Sequence, residues 1–218
     1  MKKIFVILIV LCLTFSAYAD IVLFDVGGGY HAGITPLEKS TTAISSVSLG
    51  ATARLMFLDG VGLYLHGNIA FPQSIQSFAD GNSVSTKPGY DVFLGYDTLI
   101  GVALMPVKTN SFGLLLAPGV HIGGLYMSET TSSGDSFRYK SSKTEANFGV
   151  GIDISGELYF TKNVYGRLGV LAAWDFYSYQ EVEEELNTVF GEKDWEKNNT
   201  GNTNTFVIQP TVAIGFRL

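Results

Sequence analysis

Apolar and polar residues alternate along most of this chain. Over 61–71 one parity reads Val61, Leu63, Leu65, Gly67, Ile69, Phe71, while the other carries Tyr64, His66 and Asn68. Over 144–160 the apolar parity is Phe148, Val150, Ile152, Ile154, Gly156, Leu158, Phe160, set against Glu145, Asn147, Asp153 and Glu157. Over 204–218 Phe206, Ile208, Pro210, Val212, Ile214, Phe216 and Leu218 oppose Gln209, Thr211 and Arg217. A period of two puts successive side chains on opposite faces of a strand. Read this way, the chain predicts eight strands, at about 21–34, 44–58, 61–71, 90–105, 112–127, 144–160, 164–178 and 204–218. Each is long enough for the roughly 9–11 residues of a tilted membrane strand.

The connections alternate in length. Those at 59–60, 106–111 and 161–163 are short, whereas 35–43, 72–89, 128–143 and 179–203 are long and polar. That alternation predicts an all-β fold, an eight-stranded antiparallel up-and-down transmembrane barrel with turns facing one compartment and loops the other. An even strand count places both termini on the turn side.

Aromatics on the apolar parity fall into two groups. Phe24, Phe57, Phe112, Phe160 and Phe216 lie at the short-turn ends; Tyr30, Phe71, Tyr90, Tyr126, Phe148, Trp174, Phe176 and Phe206 lie at the long-loop ends. Between them the same parity is mostly Val, Leu, Ile, Ala and Gly. Two aromatic girdles around an aliphatic band suit the outer wall of a barrel in a bilayer. A secreted soluble barrel with its apolar face inward is the competing reading, but its outer face would need dense charge, and the polar parity here is rich in Gly, Ser and Asn. The segments "LIGVALM" and "FGLLLAPGV" are apolar on both parities and do not discriminate.

Composition agrees with a membrane solvent. The 218 residues are 46% hydrophobic and only 16% charged, with mean hydropathy +0.24, low in charge for a soluble domain. Residues 1–19 read as a cleaved secretory signal: Lys2 and Lys3, an apolar run over 4–13, and Ala17-Tyr18-Ala19. The expected organisation is therefore signal peptide 1–19 and barrel domain 20–218. Cys12 invites a lipoprotein reading, but Leu11 stands where that motif wants a small residue. After cleavage no cysteine remains, so disulfides and metal–thiolate sites are excluded. The longest apolar run of the mature chain, 99–107, is half of the ~18 residues a membrane helix needs.

The whole mature chain resembles the small eight-stranded outer-membrane barrels of diderm bacteria, the group holding the OmpA transmembrane region and the OmpX-like and OmpW-like proteins. The resemblance rests on the signal, strand count, loop asymmetry and the ending "VAIGFRL". It implies an outer-membrane location and contact with outer-membrane lipid. The ending looks like the strand by which such barrels are handed to the insertion machinery, with one departure: the chain ends on Leu218, and Phe216 is two residues earlier. A closing strand leaves no unpaired edge in hydrocarbon, where each orphaned backbone group costs several kcal/mol.

The inward parity carries Asp25, Arg54, Asp97, Asp153, Glu157, Arg167 and Arg217. Eight strands leave only enough lumen for side chains to fill, and a lone charge there is costly unless paired. An ion-pair network plugging the barrel is expected rather than an ion pathway. His31, His66 and His121 also point inward, at spacings that match no ligand motif, and are read as lumen lining; no catalytic, cofactor or metal site is expected. In "DVGGGYHAG" the glycines fall inside a strand with no helix after them, so they do not form a nucleotide loop.

The last long loop is the most distinctive surface. Over 181–197 Glu181, Glu183, Glu184, Glu185, Glu192, Asp194 and Glu196 face only Lys193 and Lys197, a net of −5. Removing Lys2 and Lys3 leaves 12 basic against 20 acidic residues, so this loop supplies most of the imbalance, and nucleic acid is excluded as a partner. Val182, Leu186, Val189 and Phe190 recur at i, i+4, i+7 and i+8 before Gly191, which predicts a short amphipathic helix. Glu181, Glu183, Glu184, Glu185 and Trp195 form the candidate surface for a cationic host or environmental ligand, the alternative being a solvated loop. The leading expectation is a structural or surface-interaction protein, not an enzyme. A small-solute channel of the OmpW-like kind and a lipid-modifying enzyme are the alternatives.

Overall fold

The protein is described from a computed structural model covering residues 21–36, 40–58, 60–79, 82–86, 90–132, 137–188 and 191–218. The signal 1–19, including Cys12, lies outside the described residues. The strands are β1 (Ile21–Pro36), β2 (Ser40–Leu58), β3 (Val61–Ala79), β4 (Asn82–Thr86), β5 (Val92–Lys108), β6 (Phe112–Ser132), β7 (Phe137–Tyr159), β8 (Val164–Thr188) and β9 (Gly191–Arg217). Among the described residues there is no helix.

All pairings are antiparallel; β4 only extends the upper end of β3, from Ile75↔Thr86 to Ala79↔Asn82, and β3 pairs β5 directly. The other eight close a ring. β1 meets β9 from Leu23↔Arg217 to Ile34↔Phe206, and Leu218 N–H donates to the Val22 carbonyl at 2.8 Å. Every strand in the bilayer band thus has ladder partners on both sides, as a medium without water requires. The two-residue connection before β3 turns on Gly60 at φ 90°, where a side chain would be strained. Its carbonyl accepts the Met105 N–H at 2.7 Å.

The polarity is inside-out. Ile69, Val150 and Val212 are 53%, 50% and 63% exposed, while Arg54 and Glu157 are wholly buried. A soluble barrel would reverse these. The aromatic residues of both predicted girdles stand on the outer face, Phe24, Phe112, Phe160 and Phe216 at one end and Tyr30, Phe71, Trp174 and Phe206 at the other. The two segments whose parity was ambiguous resolve here: Leu99, Ala103, Met105, Leu115 and Ala117 point inward and pack with Met56, Tyr64, Tyr165 and Leu171. The lumen is therefore filled by an apolar cluster as well as by charge.

Two sequence expectations are corrected. The predicted long loops are largely strand: β6 and β7 stay paired to Ser132↔Arg138, and β8 and β9 to Thr188↔Gly191. These segments are polar because both faces meet water, and alternation cannot mark a strand that has no apolar side. Where Val182 and Leu186 predicted a short amphipathic helix, the described residues form strand. Val182 and Leu186, four apart, satisfy a period of two as well as one of 3.6, and this backbone is paired on both edges, Glu184 lying opposite Ser141 and Trp195. Val189 and Phe190 lie outside the described residues.

Candidate functional site

The turn-side half of the lumen holds a buried charge network assembled from five strands. Arg54 on β2 forms an ion pair with Glu157 on β7 and lies 3.6 Å from Asp25 on β1. Its Nη2 donates to the Tyr165 hydroxyl at 2.8 Å, and its Cζ stands 5.3 Å from the Tyr165 ring centroid. Arg167 on β8 reaches Asp25 Oδ1 at 3.1 Å and Asp153 Oδ2 at 2.8 Å. Asp25 therefore bridges both guanidiniums.

Neutral donors complete the carboxylates. Tyr64 OH donates to Asp153 Oδ2 at 2.5 Å, Ser155 Oγ donates to Asp153 Oδ1, Tyr165 OH donates to Asp25 Oδ2 at 3.0 Å, and Tyr159 OH donates to Glu157 Oε2 at 2.8 Å. Arg167 Nη2 also donates to Thr52 Oγ1 at 2.8 Å, and Thr52 Oγ1 lies 3.1 Å from His66 Nδ1. Charges at this depth persist only when paired and hydrogen-bonded. Three carboxylates stand against two guanidiniums, with four hydroxyl donors to the acids, while Arg54 Nε and Arg167 Nε have no hydrogen-bond partner.

A second polar layer lies nearer the long hairpins. His31 Nε2 is 3.5 Å from Asp97 Oδ2, which also accepts Asn68 Nδ2 at 2.8 Å. His121 Nδ1 is 2.8 Å from Asp175 Oδ1. Above this layer a cavity of about 530 Å³ is lined by His31, His121, Asp175, Glu145, Asn147 and Gln180, among others. Its shape depends on a bulge at Phe176: Asp175 pairs Thr205 but Tyr177 pairs Asn202. Phe176 and Tyr177 both face out, and the shift turns Ser178 and Gln180 toward the cavity.

Of the seven inward charges read from the sequence, Asp25, Arg54, Asp153, Glu157 and Arg167 lie together. Asp97 belongs to the upper layer. Arg217 is set apart, lining an open cavity of about 1000 Å³ at the turn-side mouth with Lys108, Tyr159 and Lys162; its place in a single network is corrected. Asp175 was missed, although it follows the outward Trp174 and so has inward parity. Tyr64, Thr52, Ser155 and Tyr165 were missed because a hydroxyl's role depends on which charge its neighbours bring. His31 and His121 line the lumen, and each also faces a carboxylate, a pairing that the sequence pattern did not give.

The acidic hairpin forms a paired ladder. Glu183 stands opposite Glu196, Glu184 opposite Trp195, and Glu185 opposite Asp194; Glu181 pairs Asn198. Lys193 Nζ lies 5.0 Å from the Trp195 ring centroid, and Ser142 Oγ donates to Glu183 Oε2 at 3.4 Å.

No protein-family profile matches the chain, and no curated protein matches it. Solved structures do. The chain is similar to a major outer membrane protein from Thermus thermophilus, with TM-score 0.55 and 12% identity over 90% of this chain and 99% of that one. It is similar to the outer membrane protein OprG from Pseudomonas aeruginosa, with TM-score 0.53 and 14% identity over 90% and 95%. Neisserial surface protein A gives TM-score 0.53 and 11% identity over 89% and 96%. At these identities the likeness is one of fold: a small outer-membrane-type β-barrel.

Proposed function

We propose that this protein resides in the outer membrane of a diderm bacterium after export by its signal peptide, as a non-enzymatic barrel with a closed lumen. Its outer wall contacts lipid, its last strand is what the insertion machinery reads, and its long hairpins are the surface that meets a host or environmental ligand. The observation that carries the closed lumen is Asp25 bridging Arg54 and Arg167, which ties strands β1, β2 and β8 across the lumen, with Asp153 and Glu157 adding β7. Apolar side chains fill the space around it.

A small-solute passage is the second reading, favoured by the cavities at the two ends of the lumen. It requires the charge network between them to part. Planar-bilayer recording of the refolded barrel separates the two: the closed lumen predicts negligible single-channel conductance, rising in Arg54→Ala and Arg167→Ala. A steady conductance that neither substitution changes removes the plug. The non-enzymatic reading predicts that lipid A keeps its mass when the protein is expressed, and a mass shift overturns it.

A further inference from the structure

The cavity under the long hairpins carries several unpartnered polar atoms. Asp175 Oδ2, Asn147 Oδ1, His31 Nδ1 and His121 Nε2 are buried without a hydrogen-bond partner, and all four residues line the cavity. Asp175, Asn147 and His121 are more than nine-tenths buried. His121 Nδ1 and His31 Nε2 face carboxylates. A histidine that donates one ring N–H to a carboxylate presents its other nitrogen as an acceptor. Asp175 Oδ2 and Asn147 Oδ1, joined by the free ring nitrogen of each histidine in the tautomer that donates to its carboxylate, are costly on one cavity unless something supplies donors.

The charges around the cavity point the same way. Lys143, the cation on its lining, is 3.4 Å from Glu145, and Glu145 is further satisfied by Asn147 Nδ2 and Gln180 Nε2 at 3.2 and 3.3 Å. Asp175, and Asp97 beneath His31, keep the remaining negative character. Ile44, Leu125, Met127 and Val207 add an apolar wall, and about 530 Å³ falls in the range of small-molecule sites. Among the described residues no group of three His, Cys, Asp or Glu converges as a metal site, and a single ligand that reaches Asp175, Asn147 and the histidines together has to span separated acceptors.

We propose that this cavity binds a small organic cation bearing amine or guanidinium N–H groups, held by Asp175 and Asn147 together with His31 and His121. Such a ligand offers several donors and a positive charge to these unpartnered acceptors, and its carbon chain lies against the apolar wall. The site goes beyond the surface role proposed above. Binding in detergent and conductance in bilayers are separate readouts, so either idea fails alone.

The test is calorimetric titration of agmatine into the refolded full chain in non-ionic detergent, with glutarate, a dianion of similar length, as the control. Saturable one-to-one agmatine binding is expected, with none for glutarate. Asp175→Asn should weaken it about tenfold or more, the scale of a lost charge-assisted hydrogen bond. Gly33→Val should do the same by volume, since Gly33 lines the cavity and a Cβ there meets only His31 Cε1, at 3.8 Å. Glu196→Gln on the acidic hairpin should leave it unchanged. The assignment is overturned by no saturable binding, by equal binding of glutarate, by equal loss in Glu196→Gln, or by insensitivity to both cavity variants. Tighter binding of Zn²⁺ that Asp175→Asn abolishes and agmatine does not displace makes it a metal site and also overturns it.

Discussion

Arg167 Nη1 donates to Asp153 Oδ2 at 2.8 Å from the neighbouring strand, with both side chains sealed from water. A buried pair of this kind is tolerated rather than strongly stabilising, since each ion has lost its hydration. Its weight appears when one partner is removed. Arg167→Ala leaves Asp153 facing Tyr64 and Ser155 without a cation and strips one of two guanidiniums from Asp25. The expected cost is about 3–5 kcal/mol, read from urea unfolding in micelles. Arg167→Met combined with Asp153→Leu should recover part of that loss. A single-variant loss below about 1 kcal/mol would mean the pair is hydrated.

Gly101 and Gly119 face each other across the β5–β6 ladder. A Cβ on Gly101 would run into the Pro118 carbonyl oxygen and the Gly119 Cα, whereas a Cβ on Gly67 meets nothing within 4 Å. Gly101→Ala should therefore cost about 1–3 kcal/mol or more by overpacking, and Gly67→Ala should lie within about 0.5 kcal/mol of the parent. The band shift between heated and unheated samples, followed by urea titration, distinguishes them. Equal stability of the two variants would show that the ladder opens freely at Gly101.

The fold was legible because a bilayer imposes one rule on every strand. Val150, Ile152, Ile154 and their counterparts had to be apolar on one parity whatever their neighbours, so sequence alone sorted them. The lumen obeys no such rule. Whether Arg217 joins Asp25 depends on strand tilt and register, and β9 carries it to the rim instead. Asp175 became part of the upper layer through its cross-strand position beside Gly149 and Thr205, information that no local pattern holds. Above the membrane both faces of a strand are wet, and Val182 and Leu186 then read equally well as helix or strand.

The apolar band can be probed directly. Ile154 is half exposed, midway between Phe148 and Phe160 of the two girdles, on the face that meets acyl chains. Ile154→Arg should destabilise the barrel by about 2–4 kcal/mol when folded into bilayers, the cost of a cation at the midplane. Glu196→Arg on the hairpin should have no comparable effect. Refolding yield into vesicles of defined thickness measures both, and a neutral Ile154→Arg would place this residue outside the hydrocarbon.

The acidic hairpin is not arranged for stability. Glu183 faces Glu196 and Glu185 faces Asp194, and like charges directly opposite each other weaken a ladder. These pairs do not stabilise the barrel, and the edge that their removal leaves on the upper part of β7 meets water rather than lipid, so the segment is separable. Replacing 181–198 with Asn-Gly would join Gln180 to Asn199, residues already paired across the ladder, through a two-residue turn suited to a hairpin. Stability should change by less than about 1 kcal/mol and heat-modifiability should persist. Adhesion of expressing cells to a polycationic surface should fall, and in the parent chain it should weaken as salt rises from 0.05 to 0.5 M, about the range over which screening shortens from beyond to well within the spacing of these charges. Adhesion that survives the replacement at every salt concentration assigns the contact to another hairpin.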